Sequence, residues 1–155
     1  MIACMYSRVF VIELLTGVMK ANVKRVEVIQ EPVLAFFASI VERCEYLNLE
    51  LQSLLECGFD LVYFFLSSGV TDAVHKLLSI ITSVTRLAPE VFQAVASIIA
   101  SGLTVLIAEY GRDLGVVGCW NAVIDLMNEC MTVPHAVRWV CWSVFIVVAA
   151  TRVST

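Results

Sequence analysis

The pattern of apolar and polar positions turns on one run, Val91 to Ala108, which reads VFQAVASIIASGLTVLIA between Glu90 and Glu109 with no charge inside it. A helix rises about 1.5 Å per residue, so the run nears the roughly 20 residues that cross a bilayer and equally suits the central helix of a bundle. Its polar members, Gln93, Ser97, Ser101 and Thr104, recur every three or four residues and predict a single stripe on one helix face. Small Ser, Ala and Gly residues let a neighbouring helix approach closely, which favours a packed core helix over a lipid-facing span.

The same period recurs elsewhere. Val9, Ile12, Leu15 and Met19 predict a first helix from Met5 to Lys20. After a connection over Val26 to Glu31, Pro32 suits the first turn of a second helix, where its missing N–H costs nothing. That helix runs through Tyr46 with Leu34, Phe37, Val41 and Cys44 on one face. Leu47 to Cys57 forms a further segment, stopped at Gly58 as a left-handed cap, and Phe59 to Ser67 a short aromatic one broken by Ser67, Ser68 and Gly69. Val70, Val74, Leu77, Leu78, Ile81 and Val84 predict a helix over Val70 to Leu87, capped by Thr71 or Asp72. Pro89 separates it from the uncharged run, so the two stand back to back as a central hairpin. Gly111, Gly115 and Gly118 mark a turn region, Cys119 to Cys130 a helix, and Pro134 the start of a last helix, apolar from Trp139 to Ala150 and ending at Arg152. No period-two alternation is present. The expectation is one all-α domain over residues 1–155, with seven or eight helices around that hairpin.

Composition adds spare apolar surface. Of 155 residues 60% are hydrophobic and 15% charged, with mean hydropathy +0.89, against roughly 45 to 50% apolar content in ordinary soluble domains. The excess goes to a membrane, an oligomer interface or a groove for an apolar partner. A net charge of −4, with no basic cluster larger than Lys20, Lys24 and Arg25, argues against nucleic acid. Six cysteines, Cys4, Cys44, Cys57, Cys119, Cys130 and Cys141, lack zinc-ligand or disulfide-framework spacing and fit a reducing compartment. Glu13 interrupts the apolar stretch after Arg8, so no signal peptide is read there. His75 and His135 have no Cys, Ser or paired carboxylate at a motif spacing, and no phosphate-binding glycine loop exists. An enzyme, a cofactor and a metal site are therefore not expected.

Three stretches carry a family resemblance. FFLSSGVTDAVHKLLSII, from Phe64 to Ile81, stands where the Bcl-2 family of apoptosis regulators has a motif reading approximately ELFRDGVNWGRIVAFF. In LIAEYGRDLGVVGCWNAVIDLM, Gly118, Trp120, Val123, Asp125 and Leu126 match the family's Trp-containing turn and the short helix after it. VFVIELLTGVMK is similar to the family's N-terminal helix, so the resemblance spans roughly residues 8–130. It implies a Bcl-2-like bundle that captures the BH3 helix of a pro-apoptotic relative in an apolar trough. Carried over, Leu61, Phe64 and Phe65 fall on the trough's wall and Val70, Val74 and Leu77 on its floor, with Val41 on the second helix, and Gly69, Asp72 and His75 beside them. Gly118 and Trp120 take structural places. The family's Asn-Trp-Gly-Arg is replaced by Thr71, Asp72, Ala73 and Val74, so the arginine that meets the ligand's aspartate is missing, and only His75 or Lys76 offers a nearby cation. That departure implies a narrow ligand range held by apolar contacts.

The short link between the first two helices resembles the compact versions carried by large DNA viruses. It implies an inhibitor acting in the host cytoplasm, at a mitochondrial or another intracellular membrane. The segment 134–152 stays open between a membrane anchor and a packed final helix, because Trp139 to Thr151 gives 13 residues, short of a span. Two other readings use the same apolar surplus: a small helical integral membrane protein with spans near 91–108 and 134–151, and a self-associating helical scaffold, at its simplest a homodimer.

Overall fold

The computed structural model describes residues 2–46 and 49–133, together with the single positions Ile146 and Ala150. Among the described residues the chain forms six α-helices and no strand: α1 Ile2–Ala21, α2 Val26–Glu42, α3 Leu49–Ser68, α4 Thr71–Ser83, α5 Pro89–Val117 and α6 Trp120–Met131. Short 3-10 turns, Val23–Arg25 and Val84–Arg86, join α1 to α2 and extend α4. The all-α expectation stands. The helix predicted from Pro134 to Arg152 lies outside the described residues, apart from Ile146 and Ala150, which are helical.

Helix α2 ends at Glu42, short of the expected Tyr46; three further boundaries differ from the sequence reading because packing outweighs a local breaker. Helix α2 starts at Val26 and carries Pro32 in its interior, where a proline ordinarily costs about 3 kcal/mol. Its buried stripe, Val26, Gln30, Val33, Leu34, Phe37, Ile40 and Val41, extends on both sides of Pro32, which itself faces solvent. Gly58 does not cap a helix; α3 continues through it as one 20-residue helix. A Cβ at Gly58 would meet Ile81 Cδ1 at 3.6 Å, an ordinary contact distance, so α4 packs on this stretch of α3 without needing a glycine there. The supposed turn around Gly111 and Gly115 is helical as well, and α5 runs 29 residues to Val117. Its end is Gly118, at φ 75°, a left-handed cap whose following amide, Cys119 N–H, bonds to Leu114 O at 3.1 Å.

The centre of the bundle is α3, not the expected hairpin. Its buried positions, from Glu50 and Leu51 to Phe65 and Leu66, cover about two thirds of its circumference. Helices α1, α4 and α5 pack on it extensively and α2 less so, whereas α4 and α5 share little direct contact and the Val84–Arg86 turn packs on α5. Lys20 of α1 pairs with Asp60 of α3 and lies 5.7 Å from the Phe64 ring centroid, and Arg8 reaches Glu50 at 3.5 Å. The α3/α5 crossing is set by Gly102, where a Cβ would overlap the ring of Phe59.

Gly102→Ala is expected to destabilise the protein by about 1–3 kcal/mol, the range for overpacking a core. In a Phe59→Ala background, which has none of the clashing ring atoms, the same substitution should cost less in denaturant titrations.

Candidate functional site

The residues assigned to a trough come together on α2, α3 and α4, and most of them are sealed there. Val41, Leu61, Phe65, Val74 and Leu77 are all 3% exposed or less, while Phe64 and Val70 are half-buried and Gly69, Asp72 and His75 face solvent. In this conformation the apolar members form core, with α2 laid against α4. A polar seam fastens the two helices. Gln30 Nε2 donates to Asp72 Oδ2 at 2.9 Å, and Lys76 pairs with Glu31 across the seam and with Asp72 at 2.9 Å along its own helix. The Lys76 ammonium, helped by the Gln30 amide, holds the Asp72 carboxyl below its usual range. Glu31, with Asp72 second, holds Lys76 above its own. Gln30, 5% exposed, leaves its Oε1 buried with no partner among the described residues.

The cations expected near a ligand are thus engaged. Lys76 is bridged to two carboxylates, and His75 Nε2 sits 3.0 Å from Val117 O at the end of α5. The fold also brings to His75 a cysteine that sequence spacing did not place there: Cys119 Sγ lies 3.5 Å from His75 Nδ1. Cys119 is buried, and burial pushes its thiol up, a direction that disfavours the thiolate. No His, Cys, Asp and Glu cluster able to hold a metal occurs among the described residues.

Gly118 and Trp120 occupy the α5–α6 corner. The indole of Trp120 lies along α5 over Gly111 and Gly115, where added Cβ atoms would stand 3.7 and 3.6 Å from it. The ring therefore packs along this stretch of α5 at distances that alanine at either position would also keep.

An open groove of about 440 Å³ lies elsewhere, between α3 and α5. Phe59, Tyr63, Ile98, Gly102 and Val105 give it an apolar floor, Ser97 and Ser101 one wall, and Glu56 and Asp60 the opposite rim. Tyr63 donates its hydroxyl to Gly102 O at 2.8 Å and stacks on Tyr110 with centroids 5.3 Å apart. Burial, with smaller effects from Tyr110, Asp60 and Glu109, pushes the Tyr63 phenol well above its ordinary range. The Ser stripe of α5 therefore lines an open groove instead of packing beneath a neighbouring helix. The stripe was visible in the sequence, but which way it faced was not, because that depends on α3 taking the other side. No family model, curated protein or solved structure matches this chain.

Two outcomes test this geometry. Asp72→Ala should lower the urea midpoint because it strands the buried Gln30 amide, whereas Gln30→Leu, which removes the amide with its orphaned oxygen, should not. Tyr63→Phe should lose about 0.5–1.5 kcal/mol at neutral pH, one hydrogen bond. Because the folded-state pKa lies above the ordinary 10.0, the Tyr63 contribution is full below that pH and is lost as pH rises beyond it. The stability gap between wild type and Tyr63→Phe should therefore close above that pH.

Proposed function

We propose that this chain is a non-catalytic interaction protein of the Bcl-2 kind, an inhibitor that sequesters the BH3 helix of a pro-apoptotic relative. Its place of action is the host cytoplasm or a mitochondrial or other intracellular membrane. The observation that carries the reading is the position of the motif glycines. Gly69 and Gly118, at φ 73° and 75°, each end a helix at a motif, one before Val70 and α4, the other before Trp120 and α6. In the Bcl-2-like arrangement this implies, the ligand helix lays its apolar anchors between α2, α3 and α4. Entry requires α2 to leave α4, and so requires release of the Gln30–Asp72 and Glu31–Lys76 contacts. Phe64 and Val70, half-buried beside that seam, are the first side chains a ligand would meet.

A second reading has its own observation. Helix α5 has 29 residues and an 18-residue window of mean hydropathy 2.1, of which half is buried inside the bundle. It is long and apolar enough to cross a membrane by length and composition, and its outer face carries no charge from Val91 to Ala108. That supports a small helical integral membrane protein or a self-associating scaffold. It is the more direct structural observation, since the groove reading starts from sequence motifs and the open face is a feature of the fold.

Titration with amphipathic BH3-type peptides separates the readings. Capture of a helix predicts saturable binding with Kd at or below about 10 µM, lost in Phe64→Glu and in Val70→Asp. Phe65 is unsuitable for the test because it is wholly buried. Absence of peptide binding, with extraction from membranes only by detergent, would favour the integral membrane reading; a chain monodisperse in plain buffer would exclude it.

A further inference from the structure

Helix α5 leaves an outer face that repeats every three or four residues: Glu90, Ala94, Ser97, Ser101, Val105, Ala108 and Arg112, all exposed. At 100° per residue these positions fall within an arc of about 80°, and end to end they span about 33 Å. Between its charged ends the face is small and uncharged, except for Val105, and the groove floored by Phe59 and Tyr63 runs alongside.

We propose that this face is the interface of an antiparallel two-fold dimer, in which α5 of a second copy crosses α5 at Ser101. The order of residues singles out that occupant and that direction. With Ser101 against its own copy, Ser97 meets Val105, Ala94 meets Ala108, and Glu90 meets Arg112 at both ends. A parallel pairing would instead set Glu90 against Glu90 and Arg112 against Arg112, like charge on like charge. A second copy thus supplies what the face needs: a small side chain opposite each small side chain at the crossing, Val105 opposite the recess at Ser97, and an opposite charge at each end. A two-fold contact of this kind is self-complementary and closes without further growth. The groove beside it gives Ile98 and Val105 of the incoming helix an apolar surface to cover. The inference deepens the self-association reading and uses none of the α2–α4 seam.

The test is cross-linking by position, combined with light scattering. In Ser101→Cys the new thiols meet across the two-fold axis, where small residues permit the close Cα approach a disulfide needs. Rapid symmetric cross-linking is expected under mild oxidation. Val28→Cys, at a position 79% exposed on α2, serves as the off-face control and should stay uncrosslinked. Glu90→Arg should weaken the dimer roughly tenfold, and adding Arg112→Glu should restore it, since the pair is then reversed and not removed. Ser101→Arg should yield a monomer of unchanged helix content. A wild-type chain that remains monomeric overturns both the dimer and the self-association reading. A chain that dimerises while Ser101→Cys links no faster than Val28→Cys, or that the charge reversal does not rescue, overturns this interface alone.

Discussion

The bundle depends on how closely α3 can be approached. Phe59 lies where the Cβ of residue 102 would be, so α5 can cross α3 there only with glycine at Gly102. One turn away on the approach side, Tyr63 bonds to the carbonyl of that same glycine and fixes the crossing a second time. On α4's side, Ile81 packs beside Gly58 at a distance an alanine would also keep. Helices α1, α4 and α5 all pack on α3, which lies at the centre.

That arrangement decides which apolar surface is used. Val41, Leu61, Phe65, Val74 and Leu77 are spent on the contacts among α2, α3 and α4, with a buried amide and a three-membered charge bridge at the edge. Helix α5 buries one side, Val95, Ile99, Gly102, Leu103 and Leu106 included, and keeps its small uncharged side open. A polar seam can be exchanged for water at modest cost, whereas an open apolar face carries a standing cost until something covers it. The two regions therefore suit different work: the seam suits a site that opens for a ligand, and the face suits an interface covered continuously.

Local signals of helix were reliable where they stated a period and unreliable where they stated a stop. The stripes of Leu34, Phe37, Val41 and Cys44, or of Leu77, Leu78 and Ile81, are buried as the spacing predicts. Pro32 looked like a helix start and Gly58, Gly111 and Gly115 like breaks, yet all four lie inside helices, since a breaker costs a few kcal/mol at most and a continuous buried stripe outweighs it. Gly69 and Gly118 did end helices, and both have the positive φ that a side chain resists. Of the trough residues, Phe64, Gly69, Val70, Asp72 and His75 are reachable from solvent at least in part. Val41, Leu61, Phe65, Val74 and Leu77 were legible as apolar but not as core or groove, because one-dimensional spacing gives a helix face without naming what lies opposite.

What the sequence by itself determined is the class of structure and its surplus: an all-α chain, apolar beyond the needs of an ordinary core, with one long helix left uncharged along most of its length. The period of side chains along a helix and the transfer of apolar surface from water are local or additive, so they can be read from residues in order. Only the tertiary structure decided that α3 is the centre, that His75 meets Cys119, that Gln30 and Lys76 fasten α2 to α4, and that the Ser stripe faces outward. Those outcomes rest on contacts between residues some 40 positions apart, and on whether a ring such as Phe59 finds a glycine or a side chain opposite it.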